Sequence, residues 1–337
     1  MSDDENGVRT KSAGGSTAKR HHYVPEFYLK GFAVPRKKEH QTTVIDRSGR
    51  TFATAIKNVA AETGFNAIDG PQPDVVENAF ASIEAEFAPA LARIAAAKSL
   101  ANDQDREILM YFIAWLAIRN PRFRETFRQF QANVSKQIVD LSLASRERWE
   151  GQVKQMEAAG VRKGPAVDYE VVKEFHESGK YKIEVPVERH LEIAAPAVDA
   201  VFPHLMRRGW TLMSPSSAAG EFISSDHPVC LTWSDPARQA GFYGPGFGLE
   251  GTTVVVPLRH DLAAIGTFGG REVFLDGLKE INAARVNRTV AAYALRQVYA
   301  RGYGFVYATG EGGTTLRKGS RLVGDSDFRR TNDEGHE

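Results

Sequence analysis

The sequence predicts an α+β fold: a central helical block against a mixed, partly antiparallel sheet built from an N-terminal hairpin and C-terminal strands. Three observations carry that prediction. Thr42 to Phe52 is a short strand pair with turn residues between; residues from about 74 to 208 repeat apolar side chains at three- and four-residue steps; after Gly209 the chain breaks into short β-branched and aromatic runs bounded by Gly, Pro and Ser. Strands and helices segregated in this way favour α+β over a regular βαβ alternation.

In the hairpin, Asp46-Arg47-Ser48-Gly49 supplies the turn, and Val44, Ile45 and Phe52 the surface to bury. Pro71 and Pro73 stand where a helix can start, and Val76, Phe80, Ile83, Phe87, Leu91 and Ile94 then share one face; Pro89 is expected to kink or divide that helix. Asn102 or Asp103 caps the next helix, which carries Ile108, Leu109, Phe112, Ile113 and Leu116 and ends at Asn120-Pro121. A third helix uses Phe123, Phe127, Phe130, Val134, Ile138 and Leu141 as its apolar face, and its polar end past Ala144 is expected to project into solvent. Two more helices follow between Asp168 and Gly209, the second interrupted at Pro196 and Pro203. Strands are expected at 210–213, 221–224, 229–233 and 252–256, and a helix from about Leu278 to Arg296 leads into strands at 297–300 and 304–307. The Gly-rich stretch Gly241–Gly248 has neither the strand-to-helix layout of a dinucleotide fingerprint nor a phosphate-loop lysine, and reads as a loop.

A chain of 337 residues with 42% hydrophobic content is long enough for one α+β domain over 19–324, with a helical subdomain around 74–208. The polar ends, 1–18 and 325–337, are expected to be disordered because they offer no apolar face to offset the entropy of ordering. A net charge of +1 excludes a globally basic nucleic-acid coat but not a local basic patch. The lone Cys230 rules out an intramolecular disulfide. The N-terminus lacks a signal-peptide layout, and the most apolar run, Ile108 to Ile118, falls short of the ~20 residues that span a bilayer. The expectation is a cytoplasmic protein with no membrane partner. Oligomeric state is not legible.

Two motifs could carry chemistry. Lys19 to Phe32 holds His21 and His22, which can act as metal ligands or as general acid and base. Neighbouring residues point in different directions, so one histidine faces a site while the other packs or meets water. The alternative is a docking segment in which Tyr23, Val24, Phe27, Tyr28 and Phe32 bury. Phe222 to Val229 runs from a strand into the polar turn Ser225-Asp226-His227-Pro228, where Asp226 could bind a metal or orient a histidine, or the turn could simply cap its own loop. Arg119 ends an apolar helix, where it suits the helix dipole or serves as a phosphate or carboxylate clamp. Basic residues near aromatics, among them Lys19, Arg20, Arg119, Arg122, Arg124 and Arg128, could form a phosphate-binding face or be solvated. Asn282, Arg285 and Thr289 share a face of the last helix.

His21 to Leu29, Arg119-Asn120-Pro121, Ser225-Asp226-His227-Pro228 and Pro257-Leu258 together resemble the pattern of a bacterial family of domains of unknown function. The resemblance spans nearly the whole chain. It departs at His227, where the family pattern has Asn, so His227 is not implied as a shared catalytic residue. The family has no established activity, and the resemblance therefore implies positions rather than a reaction.

The leading functional expectation is a hydrolase acting on a phosphate-bearing substrate, a nucleic acid or nucleotide. His21 or His22 would be base or metal ligand, Asp226 would bind metal or orient the base, and Arg119 would stabilise negative charge. Ser225, Tyr23 and Asn282 would contact substrate. A divalent metal is compatible with this set, though no ligand set is defined. The alternative is a non-enzymatic module that binds nucleic acid or protein. A third reading has the motifs only hold the N-terminal segment on the body. The enzyme reading requires His21 or His22 within hydrogen-bond or metal-ligand reach of Asp226.

Overall fold

A computed structural model describes residues 20–68, 75–161, 164–165, 167–235, 237–238 and 244–329. The first third of the chain forms β1 (Arg20–His22), α1 (Glu26–Leu29), β2 (Val34–Arg36), β3 (Glu39–Asp46), β4 (Thr51–Ala55) and β5 (Ala61–Thr63). The helical block follows as α2 (Val75–Ala97), α3 (Asp103–Ile118), α4 (Pro121–Ser142), α5 (Arg146–Ala158), α6 (Tyr169–Glu177) and α7 (Val187–Met206). Then come β6 (Gly209–Pro215), β7 (Ser224–Ser225), β8 (Cys230–Trp233), β9 (Thr252–Arg259), β10 (Leu262–Thr267) and β11 (Val273–Leu278). The chain closes with α8 (Glu280–Tyr293), β12 (Gln297–Ala300), β13 (Val306–Thr309), β14 (Thr315–Lys318) and α9 (Ser326–Arg329).

The α+β class holds, but the strands divide between separate sheets. One has the order β11-β6-β10-β9-β8, antiparallel except for the parallel β11–β6 pair. In the other, β3 lies between β4 and β12, and β12 pairs onward with β7. The N-terminal hairpin therefore joins C-terminal strands, as expected, in this second sheet only.

Period-two alternation makes the first sheet the middle of three layers. Leu212, Val254, Val256 and Ala264 face a core shared with α2, α3, α7 and the segment around α1. Their neighbours Met213, Val255 and Ala263 face a second core with α8 and β12. The buried Arg208 closes the α7 end of the sheet, donating to the carbonyls of Thr252 at 2.8 Å and Phe247 at 2.7 Å. Asn287 of α8 accepts from Ile223 N–H at 3.1 Å and donates to the carbonyls of Glu221 at 2.9 Å and Val306 at 2.8 Å. Its side chain supplies bonds that a strand ladder would have made, and of the strand expected at 221–224 only Ser224 joins a sheet.

Several expectations need correction. Pro89 does not divide α2, and Pro196 and Pro203 do not interrupt α7. Phe87, Ala90 and Ile94 are buried on both sides of Pro89, and Val198 and Leu205 on both sides of Pro203, and that packing outweighs the lost backbone donors. The expected polar extension past Ala144 is a separate helix, α5, capped by the Ser145 hydroxyl. No residue of α4 is buried, although its apolar stripe reads as a core face. The expected disorder from Asp325 onward does not hold for 325–329: Phe328 is buried in α9, and Arg47 lies over its ring and donates to its carbonyl. Pro71, Pro73, residues 1–18 and 330–337 lie outside the described residues. Among the described residues no helix is long and apolar enough to cross a membrane.

Candidate functional site

Segments carrying three of the motifs meet, and the meeting is made by tyrosines. β1 pairs antiparallel with β5, placing His21 opposite Glu62, and Tyr23 N–H donates to Ala60 O at 2.9 Å. Pro25 then starts the single turn of α1, which drives Tyr28 and Phe32 into the core beside Phe112. The Tyr28 hydroxyl donates to the Pro257 carbonyl at 2.5 Å; its one proton being used there, it accepts from the Ser224 hydroxyl at 3.0 Å. One phenol thus ties the N-terminal motif to β7 and β9. Tyr28→Phe, which leaves the hydroxyl and carbonyl without that partner, is expected to lower stability by about 1–3 kcal/mol in urea unfolding while the fold is kept.

Asp226 is buried beside this junction. Its Oδ1 accepts from Leu295 N–H at 2.7 Å, and its Oδ2 from Arg296 N–H at 2.7 Å and Gln297 N–H at 3.0 Å. The carboxylate thus holds the turn between α8 and β12, as an Asx-type cap does. Burial raises its pKa, against the pull of those three N–H groups. Tyr23 lies close enough that burial, and then the charge of Asp226, push its phenol upward, while Arg296 bonds both to Tyr23 and to Glu62. Ser225 Oγ accepts from His227 N–H at 3.2 Å. His227 stacks on Tyr293 at 4.9 Å, and burial, then Arg122, lower its pKa to about 3. It is a neutral packing ring at physiological pH.

The two histidines are placed elsewhere. His21 is buried, and its Nδ1 accepts from Asn66 N–H at 2.9 Å, so that nitrogen carries no proton. His22 Nε2 stands 3.7 Å from Glu26 Oε1. Asn282 lies on α8 in its first turn, with its N–H bonded to Lys279 O. Among the sequence candidates the structure therefore groups Tyr23 with Asp226, and Ser225 with the same turn. His21 is instead linked by way of Asn66 to Arg124, whose guanidinium donates to Asn66 Oδ1 at 3.1 Å. Among the described residues no group of three His, Cys, Asp or Glu side chains is placed to hold a metal ion.

Beyond Asn66 lies a cavity of about 200 Å³ between α2, α3, α4 and α7. Its walls are apolar and aromatic, with Phe80, Ile83, Tyr111, Trp115, Phe123 and Val198 prominent, and the exposed Ala195 marks its solvent side. Its polar groups gather near Arg119 and Arg124. Arg119 pairs with Glu84 at 3.1 Å and lies 4.1 Å over Phe80 and 4.3 Å over Trp115. Arg124 donates to Phe65 O and, at 3.1 Å, to Asn66 Oδ1, with its guanidinium 3.4 Å over the Phe65 ring. No carboxylate hydrogen-bonds to Arg124 among the described residues; burial, then Arg119, pull its pKa down to about 10. Burial, then Arg124, likewise lower that of His190. The Trp115 indole N–H and His190 Nδ1 are buried without hydrogen-bond partners among the described residues.

Asn66 and His190 carry no sequence signal. They come from a loop and a distant helix, and no local spacing announces their meeting. Arg124 belongs to the basic cluster read from sequence, with Phe123 among its aromatic neighbours, whereas Phe65 carries no signal there.

Fold and site together define a three-layer α+β protein with a buried motif junction and an arginine-lined cavity next to it. The chain belongs to the family described as protein of unknown function DUF4238, whose model matches residues 20–302. No curated protein and no solved structure matches it.

Proposed function

We propose that the protein binds a small, ring-bearing organic anion in the α2–α3–α4–α7 cavity. The observation that carries this reading is the guanidinium of Arg124, held beside a second arginine and hydrogen-bonded to no carboxylate among the described residues, with Glu62 acting on it only through its charge. A partly buried cation in that position is unfavourable until an anion joins it. Trp115 N–H and His190 Nδ1 add polar capacity inside otherwise apolar walls, the composition of a small-molecule site. A cavity of roughly 150 Å³ suffices for a benzene ring. The volume here, about 200 Å³, suits one ring with an acidic substituent and is too small for a whole nucleotide.

The phosphate-bearing ligand expected from sequence survives in this proposal, because phosphate and carboxylate both satisfy an arginine pair. The hydrolytic step assigned to His21 and Asp226 is not carried forward: both Asp226 oxygens are taken by backbone N–H groups, and His21 Nδ1 by Asn66. Of the two readings the geometry favours the binding module.

The test compares benzoate and phenyl phosphate with neutral benzyl alcohol by thermal shift and by Trp fluorescence. The acids are expected to raise the unfolding midpoint and perturb Trp115 emission, with an effect that weakens as salt rises. Equal stabilisation by benzyl alcohol, or none by either acid, contradicts the proposal.

A further inference from the structure

Helix α4 runs for 22 residues without one buried side chain, yet it carries a continuous apolar stripe. Phe130, Ile138 and Leu141 are 61%, 57% and 64% exposed. Of the thirteen large hydrophobic side chains exposed among the described residues, seven lie between Phe130 and Phe175, on α4, α6 and the chain linking them. Surface apolar residues are normally scattered. A helix of this length is stabilised chiefly by packing its apolar face. On α4 that packing is missing at Phe130, Ile138 and Leu141, whereas Val134 is half-buried and Phe127, at the body end, meets α7 with its ring edge-on to His190 at 5.5 Å.

We propose that the face is covered by α4 of a second copy of this chain, paired antiparallel about a two-fold axis at Val134. The pattern argues for a self-partner. Past Phe123, which packs against the core, Phe127, Phe130, Val134, Ile138 and Leu141 are spaced 3, 4, 4 and 3 residues apart, a sequence of steps that reads the same in both directions. Under an antiparallel two-fold, Val134 meets its own copy, Phe130 meets Ile138, and Phe127 meets Leu141. A partner of unrelated sequence has no reason to select a palindromic ladder.

Charge placement fits the same occupant. At ~100° per residue the five apolar residues fall within about 40° of a common line, and Thr126, Gln131, Gln137 and Ser142 flank them at about 60–80°. The charged Arg122, Glu125, Arg128, Lys136 and Asp140 all lie about 120° or more away. Arg124, at about 80°, is turned into the cavity instead. The face thus has an apolar centre and an uncharged polar rim, so two copies meet without like-charge repulsion. The four steps average 3.5 residues, the repeat that keeps an apolar seam facing its partner in a left-handed coiled coil. On the far side, Asp140 bonds to His176 Nε2 at 2.6 Å, anchoring α4 to α6 and leaving the stripe outward. The inference is independent of the cavity.

Sedimentation equilibrium of the full chain tests it. The expected mass is twice 37.1 kDa, falling to the monomer on dilution. Phe130→Glu with Ile138→Glu is expected to give a monomer with unchanged far-UV circular dichroism, since both side chains are exposed. In a second variant, Val134→Cys is expected to crosslink to itself under mild oxidation, with the buried Cys230 not competing. A monomer at every soluble concentration overturns the proposal, as does a dimer that survives the two glutamates. Faster self-crosslinking of Leu141→Cys than of Val134→Cys overturns the antiparallel register.

Discussion

Asp226→Ala is expected to destabilise the protein by about 3–5 kcal/mol in urea unfolding, the largest effect of any motif residue. The carboxylate accepts from the N–H groups of Leu295, Arg296 and Gln297, at 2.7, 2.7 and 3.0 Å. Alanine leaves those three donors without an acceptor at a buried turn, at about 1–3 kcal/mol each, less what an entering water recovers. Against a typical total of about 5–15 kcal/mol, that is a large fraction. The pH dependence has a definite sign. Burial raises the Asp226 pKa above its unfolded value near 3.8. The folded state therefore holds this proton more tightly, and the group's titration-linked contribution is full below about pH 4. It is lost as pH rises through the folded value. The gap between wild type and Asp226→Ala should narrow across that window; a gap that widens from pH 4 upward contradicts the burial argument.

Arg124→Met is expected to do the opposite: to remove ligand while leaving the fold. Among the described residues its guanidinium hydrogen-bonds to no carboxylate, and a hydrogen bond from a charged donor is worth about 1.5–3 kcal/mol. Losing it should weaken an aromatic acid by about 10–100-fold. Stability should change little, within about 1 kcal/mol, because losing the bonds to Phe65 O and Asn66 Oδ1 is offset by relief of a partly buried charge beside Arg119. Methionine keeps most of the side-chain volume against the Phe65 ring, so no large cavity opens. Unfolding of Arg124→Met at the midpoint of Asp226→Ala would mark the arginine as a structural group instead.

Much of this was legible in the sequence wherever a local signal decides local structure. The cap at Asn102 accepts from Asp105 N–H, as its position before an apolar helix indicates, while Asn120, read only as the end of that helix, also caps the next one by accepting from Phe123 N–H. The turn at Asp46 to Gly49 and the strand over 252–256 stand where expected. The strand β10, built from Leu262-Ala263-Ala264-Ile265-Gly266-Thr267, has little β-branched density and is made by its two neighbours. The prolines of α2 and α7 misled because a local rule met a stronger tertiary one. At the site, the sequence located the motif junction but assigned it to the histidines, whereas Tyr28 and Asp226 hold it together. Asn66, Arg124 and His190 converge only once α4 and α7 are placed, so their cavity had no signature to read.

The most direct test of the account is a calorimetric titration of phenyl phosphate and benzoate into wild type, Arg124→Met and Ser225→Ala. Ser225 bonds within the Asp226 turn and does not line the cavity. The expected result is a saturable, salt-sensitive heat in wild type and Ser225→Ala that is lost in Arg124→Met. Binding that persists in Arg124→Met and disappears in Ser225→Ala would place the ligand at the motif junction and contradict the assignment to the cavity.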